Sequence, residues 1–311
     1  MLNQFELCSA PITAAAYEKC DSIVLFLCKE CAPAVPQLEL PLEAAKAVEA
    51  YLAAHDDVYD VGALTSFVLP TEGGLLQLII AGCGEGSDCK PNNFRKAAGE
   101  AARALHKAKA RQAVCAAPIL LNPQRGFYAQ AIAEGLFLGG YTFNRFKSEA
   151  KEAPLCAVKL LSSAEDSAKL VEVAEIEAEA VCFTRDLVNN PGNIVTPQVM
   201  VEAALAMGKE LPLEVTVLDE VLLKDRGMEA ILAVGRGSEN PPRMIALQYN
   251  GAGDAPYTAF VGKGVTFDSG GISIKPDDNM GEMKDDMTGA ADVLGAMRAI
   301  ARLGLPCNVI G

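Results

Sequence analysis

Along the first 160 residues, short apolar runs alternate with stretches in which apolar positions recur every three or four residues. The runs Phe5 to Ser9, Ile23 to Cys28, Ser66 to Leu69, Leu75 to Ala81, Gln112 to Ala116 and Cys156 to Leu161 have the length and composition of strands. Between them, Leu42 to Ala54, Phe94 to Ala110 and Tyr128 to Phe143 read as helices; in the last, Ile132, Leu136, Gly139 and Phe143 form one core-facing stripe. Strands separated by helical crossovers predict a mostly parallel sheet covered on both faces.

A long helix follows. Ser163 is placed to cap it, with Glu165 and Asp166 in the first turn, and Val173, Ile176, Ala180, Phe183 and Leu187 give it one apolar stripe up to Asn190-Pro191-Gly192. Thr196-Pro197 then opens another helix. Leu213 to Leu218 and Met244 to Tyr249 are expected strands, Asp219 to Asp225 a short helix, and Ile231 to Val234 a short buried segment. Tyr257 to Val261 reads as a buried strand. Thr288 starts a helix that Gly304 and Pro306 stop, before Asn308 to Ile310 opens a strand. The fold class is α/β, with two domains, each a mostly parallel or mixed sheet flanked by helices. They cover 1–162 and 193–311, joined by the helix of 163–192, and a strand opening at the very end predicts an incomplete second domain.

Composition narrows the function. A chain of 311 residues, 50% hydrophobic, can bury two cores, and its net charge of −13 argues against nucleic acid, whose phosphates need a basic surface. Met1-Leu-Asn-Gln-Phe-Glu is no signal peptide and no stretch is long and apolar enough to span a membrane, so a cytoplasmic location with ten reduced thiols is expected. Cys28-Lys-Glu-Cys31 is a lone CxxC with no second pair at zinc-site spacing, read as two unremarkable thiols at a strand end. His55 and His106 are the only histidines, both in polar helical settings, which disfavours a Ser-His-Asp mechanism and a histidine-rich zinc site.

The chemistry gathers in Val261-Gly-Lys-Gly-Val-Thr-Phe-Asp-Ser-Gly-Gly-Ile-Ser-Ile-Lys-Pro276, with Met283-Lys-Asp-Asp-Met287 behind it. Lys263, Asp268, Lys275 and Asp286 stand among glycines at a strand end, where open α/β sheets hold ligands. A phosphate-binding loop would need glycine at position 257, which is Tyr. Gly82-Cys-Gly84 and Gly235-Arg-Gly237 lack the third glycine of a dinucleotide fingerprint. Carboxylates suit Mg²⁺, Mn²⁺ or Zn²⁺ and can bridge two ions, while a lysine joins only as the neutral amine. Solvated turn residues remain the alternative on spacing alone.

The segment from Val261 to Met287 resembles the metal-binding signature of the leucyl (cytosol) aminopeptidase family, two-metal exopeptidases: Lys263, Asp268, Lys275, Met283 and Asp286 fall in its register. Thr184-Arg-Asp-Leu-Val-Asn-Asn-Pro-Gly-Asn-Ile-Val-Thr-Pro197 is similar to the opening of its catalytic domain, and Ala133-Glu-Gly-Leu and Tyr141-Thr-Phe-Asn-Arg-Phe-Lys-Ser148 also resemble family sequence. The resemblance implies release of N-terminal, leucine-like residues from peptide substrates, with two divalent ions per site, Mn²⁺ or Zn²⁺. It implies Lys263, Asp268 and Asp286 as metal ligands, Lys275 as the catalytic cation beside the oxyanion, and Met283, with Lys275 and Asp286, as substrate contacts; core packing is the alternative for Met283. It also implies a homo-oligomer, a hexamer with sites facing an internal cavity. The family's Asn-Thr-Asp-Ala-Glu-Gly-Arg segment does not occur in this sequence, so the expectation is a fragment or a truncated product that does not turn over substrate alone. A non-catalytic metal-binding or assembly subunit and a two-metal phosphoryl-transfer hydrolase are the alternatives.

Overall fold

The structure, a computed structural model, describes residues 5–72, 74–85, 89–149 and 156–311. It divides into two compact units, Met1–Glu179 and Ala180–Gly311. Among the described residues no helix is long and apolar enough to cross a membrane.

The first unit holds strands β1 (Phe5–Ala10), β2 (Ser22–Leu27), β3 (Leu64–Thr71), β4 (Gly74–Gly82), β5 (Gln112–Ala116) and β6 (Cys156–Leu161) in the order β1-β6-β5-β2-β4-β3. All neighbours are parallel except the β3–β4 hairpin. β2 is buried at every residue because it lies mid-sheet with both faces covered. Its side chains alternate: Val24 and Phe26 enter one core with Phe94, Leu105, Ile132 and Leu136, while Ile23, Leu25 and Leu27 enter the opposite one with Leu38, Val48 and Leu78. β3 caps the sheet edge and alternates exposed with half-buried residues, as an edge strand covered on one side should.

Helix α1 (Leu42–Ala54) covers one face, and α2 (Pro91–Ala108) with α3 (Gly126–Gly139) the other. The α2–α3 backbones approach closely at glycines. A Cβ on Gly135 would stand 2.2 Å from the Arg95 carbonyl oxygen, and one on Gly139 2.5 Å from that of Gly99. α3 stops at Gly139, so Phe143 is not part of the expected stripe. His106, placed by the sequence in a polar helical setting, is half-buried and stacked on Phe5 with ring centroids 4.6 Å apart. Cys28 and Cys31, expected as separate thiols, are joined by a disulfide.

Helix α4 (Ser167–Asn189) runs from the first unit into the second. It starts four residues beyond the expected cap, because the Ser163 hydroxyl donates to the Leu120 carbonyl at 2.8 Å instead.

The second unit carries α5 (Pro197–Glu210), β7 (Glu214–Leu218), α6 (Glu220–Asp225), α7 (Glu229–Gly235), β8 (Met244–Asn250), β9 (Tyr257–Ala259), α8 (Thr288–Leu303) and β10 (Asn308–Ile310). Its sheet is mixed, ordered β7-β8-β10-β9, with only β10–β9 parallel. Thr196 caps α5, its hydroxyl accepting from the Val199 N–H, and the Asp219 carboxylate caps α6 by accepting from the Leu222 N–H. Met200, Ala204 and Met207 of α5, Leu247 and Tyr249 of β8, and Leu294 and Met297 of α8 make the core. Ile231 to Val234, expected buried, lies in α7 with Val234 exposed. Tyr257 to Val261, expected as a buried strand, is a three-residue edge strand exposed throughout, because only β10 pairs with it.

Candidate metal centre

One buried polar side chain sets where the candidate segment begins. Asn308, 2% exposed, donates from its amide to the carbonyls of Gly253 and Ala255 at 2.8 and 2.7 Å, and its Oδ1 accepts from the Ala252 N–H at 2.8 Å. This fixes the turn that leads into β9. Phe260 then donates its N–H to the Ile310 carbonyl, and the chain leaves the sheet.

The next contact is backbone on backbone. A Cβ on Gly262 would meet the Gly289 carbonyl oxygen at 2.2 Å, and the Ala290 N–H donates to the Lys263 carbonyl at 2.8 Å. The loop is thereby docked on the first turn of α8, a closeness only glycine allows. Further on, Gly270 takes φ +86°, where an added Cβ would stand 2.3 Å from the Ser273 carbonyl oxygen, and the Lys275 N–H closes that turn on the Ser269 carbonyl at 2.9 Å. Residues Met280–Asp285 form a 3-10 turn that returns Met283 and Asp286 to the loop.

Four charged side chains meet there. The Lys263 ammonium donates to Asp286 Oδ1. Lys275 Nζ lies 2.9 Å from Asp268 Oδ2 and 3.1 Å from Met283 Sδ, while Asp268 Oδ1 accepts from the Gly270 N–H at 2.9 Å. The Lys275 ammonium, then the Gly270 N–H, hold Asp268 below the usual carboxylate range, and Lys263 adds to this, so the two ion pairs share one field. Asp286 is the most enclosed of the four, its side chain 20% exposed, and its Oδ2 is buried with no hydrogen-bond partner. A buried carboxylate oxygen without a donor is an expensive arrangement unless a cation is meant to meet it.

All five candidate residues, Lys263, Asp268, Lys275, Met283 and Asp286, are therefore brought together. Reasoning from the sequence did not single out Lys284, whose ammonium reaches the Asn189 carbonyl at 3.5 Å and ties the 3-10 turn to the end of α4. Its only signal was proximity to two segments already singled out. His55 and His106 lie in the unit of residues 1–179. Two oxygens of separate carboxylates beside a lysine amine form a hard donor set of the kind that suits Mn²⁺, Mg²⁺ or Zn²⁺.

Comparison with known proteins gives the chain its family. Residues 182–311 match the sequence model described as "Cytosol aminopeptidase family, catalytic domain", and residues 33–150 match that of the same family's N-terminal domain. A Geobacter sulfurreducens protein described as "Probable cytosol aminopeptidase" is 40% identical over 249 residues, which are 78% of this chain and 49% of the relative. A Rickettsia felis protein so described is 44% identical over 189 residues, 59% of this chain and 38% of the relative. Among solved structures, a tomato leucine aminopeptidase mutant superposes with a TM-score of 0.78 at 28% identity, covering 98% of this chain and 61% of that one. The bottromycin maturation enzyme BotP in complex with Mn gives 0.76 at 30% identity, covering 94% and 58%. The chain thus spans about half the length of the curated relatives it matches.

Proposed function

Because the chain belongs to the cytosol aminopeptidase family, we propose that the cluster at the end of β9 is the metal-holding part of a two-metal aminopeptidase site that releases leucine-like residues from peptide N-termini. The buried, partnerless Asp286 Oδ2 carries this reading, since it is a hard anionic donor with no proton donor to satisfy it. Asp268, Asp286 and Lys263 would hold two divalent ions, Mn²⁺ or Zn²⁺; when bound, such ions polarise a carbonyl and acidify water.

The chain's own groups do the rest. The Gly270 N–H orients Asp268. Lys275, ion-paired with Asp268, donates to the oxyanion that develops on the scissile carbonyl, a contribution on the order of 3 kcal/mol to the barrier. Met283, half-buried against the Lys275 ammonium, offers the polarizable wall for an apolar first residue. An assembly of identical subunits, a hexamer by family likeness, and a cytoplasmic location belong to the same proposal.

The test is hydrolysis of leucine p-nitroanilide with Mn²⁺ or Zn²⁺ by the product of the whole gene. Asp268→Ala abolishes turnover together with metal binding, whereas Lys275→Ala lowers kcat by about a hundredfold with metal retained. Full activity in either variant contradicts the roles assigned to Asp268 and Lys275. Metal binding with no turnover in the product of the whole gene would favour a non-catalytic subunit instead.

A further inference from the structure

A second cluster lies in the unit of residues 1–179, at the carboxyl ends of β2, β4 and β5. The chain leaves β2 through α1, on one face of the sheet, to reach β3 and β4; it leaves β5 through α3, on the other face, to reach β6. β2 and β5 are parallel neighbours. Adjacent strands whose connections depart in opposite directions flank a crevice, the usual ligand position of such sheets. A cleft of about 500 Å³ lies there, with Cys31, Gln37, Pro118, Ile119, Asn122 and Arg125 among its walls.

Three sulfurs meet at this end of the sheet. Cys28 follows β2, Cys31 lies three residues on, and Cys89 arrives from the connection after β4; their Sγ atoms are all within 4.8 Å of one another. Thiolates around one ion, with metal–sulfur bonds of about 2.3 Å, stand roughly 3.8 Å apart, so a ligand triangle is reached by opening the Cys28–Cys31 bond with Cys89 already within reach. The backbone that carries them is pinned. The Lys29 N–H donates to the Gly84 carbonyl at 3.2 Å, the Ala32 N–H to the Cys28 carbonyl at 3.0 Å, and the buried Tyr128 hydroxyl to the Cys89 carbonyl at 3.0 Å. Arg125, stacked 5.6 Å over Tyr128, sets a positive charge beside the cleft. Cys28 and Cys31 are disulfide-bonded to each other, and Cys89 is a free thiol.

We propose that, when the Cys28–Cys31 pair is reduced, Cys28, Cys31 and Cys89 form a three-thiolate site for one thiophilic divalent cation of the zinc class, and that the disulfide is its oxidised, metal-releasing form. From the metal-bound form, closing the bond takes two electrons from the Cys28 and Cys31 thiolates and releases the cation. A disulfide oxidant such as oxidised glutathione accepts both electrons and leaves as two thiolates, which take their protons from water. The site is independent of the carboxylate cluster, which offers no sulfur except the Met283 thioether.

Co²⁺ titration of the full chain under argon tests this, after reduction with tris(2-carboxyethyl)phosphine. The phosphine takes its oxygen from one water while the two sulfurs gain that water's two protons. The reduced wild type develops a sulfur-to-cobalt charge-transfer absorption that saturates at one equivalent. Zn²⁺ displaces the cobalt, and oxidised glutathione abolishes the band. Cys89→Ser weakens the affinity at least tenfold, whereas Cys182→Ser, in the other unit, and Asp268→Asn keep the band. Zinc X-ray absorption on the wild type counts three sulfurs. Absence of a charge-transfer band in reduced wild type, a count of two sulfurs, or an unchanged band and affinity in Cys89→Ser overturns the proposal; the wild-type arms decide it even where a variant fails to fold.

Discussion

Gly262→Ala is the sharpest perturbation of the candidate centre that leaves every charged group in place. The added Cβ would stand 2.2 Å from the Gly289 carbonyl oxygen, 2.6 Å from its carbon and 2.7 Å from Ala290 Cα, all backbone atoms of the first turn of α8. No side chain can rotate away, so the loop or the helix end must move by about 0.8 Å merely to reach the shortest separations real Cβ atoms show. Overpacking of this kind costs about 1–3 kcal/mol, and the backbone on both sides puts this case in the upper half. For a unit of this size each kcal/mol lowers Tm by roughly 3–4 °C, which gives a fall of about 6–12 °C. The displaced residue is the neighbour of Lys263, whose carbonyl accepts from Ala290 and whose ammonium meets Asp286. Mn²⁺ affinity, followed by titration calorimetry, should therefore drop roughly ten- to a hundredfold, as when a supporting contact of a metal ligand is lost. Gly281→Ala is the control: an added Cβ there meets nothing within 4 Å, so its effect stays within about 0.5 kcal/mol. A Gly262→Ala chain with wild-type Tm and wild-type Mn²⁺ affinity would refute the claim that this contact positions the site.

Three further perturbations probe other contacts. His106 Nε2 is buried without a partner and burial lowers its pKa below 6.5, so as pH falls the unfolded chain takes up the proton first. The stability due to neutral His106 is complete above 6.5 and is lost as pH falls toward the lower folded value; His106→Phe should flatten urea-derived stability over that window, and an identical slope would contradict this. Gly135→Ala forces a Cβ to within 2.2 Å of the Arg95 carbonyl and should cost about 2–3 kcal/mol in the first unit; a thermal scan that shows no shift would mean that α2 and α3 do not pack backbone against backbone. Asn308→Ala leaves the Gly253 and Ala255 carbonyls and the Ala252 N–H without their partner and should cost about 2–4 kcal/mol, with faster amide exchange across 252–260, whereas unchanged exchange there would disprove its role in fixing the turn.

Much of this architecture was legible wherever local pattern and tertiary environment agree. α1 has the bounds expected of it, Leu42 to Ala54, because Pro41 and His55 bracket an uninterrupted helical composition. β5 and β6 likewise match, since a short apolar run in a covered sheet has one place to go. The misses share a cause outside the local window. Ser163 spends its hydroxyl on Leu120, 43 residues away, and the α4 start moves accordingly. β9 is apolar enough for a core but occupies an edge, which only the β10 pairing decides. Ile231 to Val234 is a short apolar run that periodicity cannot assign, and it folds as a helical turn with Ile231 and Leu232 half-buried and Val234 exposed.

The candidate centre divides in the same way. Its residue types and its glycine-bracketed setting could be read from the chain, but not which lysine meets which carboxylate: Lys263 finds Asp286, 23 residues on, and Lys275 finds Asp268. The orphaned Asp286 oxygen is a property of enclosure alone. The approach of Cys89 to Cys28 and Cys31 was equally hidden, because it depends on β2 and β4 lying side by side.

Anomalous diffraction at the manganese edge, from crystals of this chain soaked in Mn²⁺, puts the central claim to its most direct test. The expected result is a peak coordinated by Asp286 Oδ2, with Asp268 and the Lys263 amine turned toward the same density and the Lys263–Asp286 contact broken. A map with no anomalous peak among these side chains, their present ion pairs intact, would contradict it.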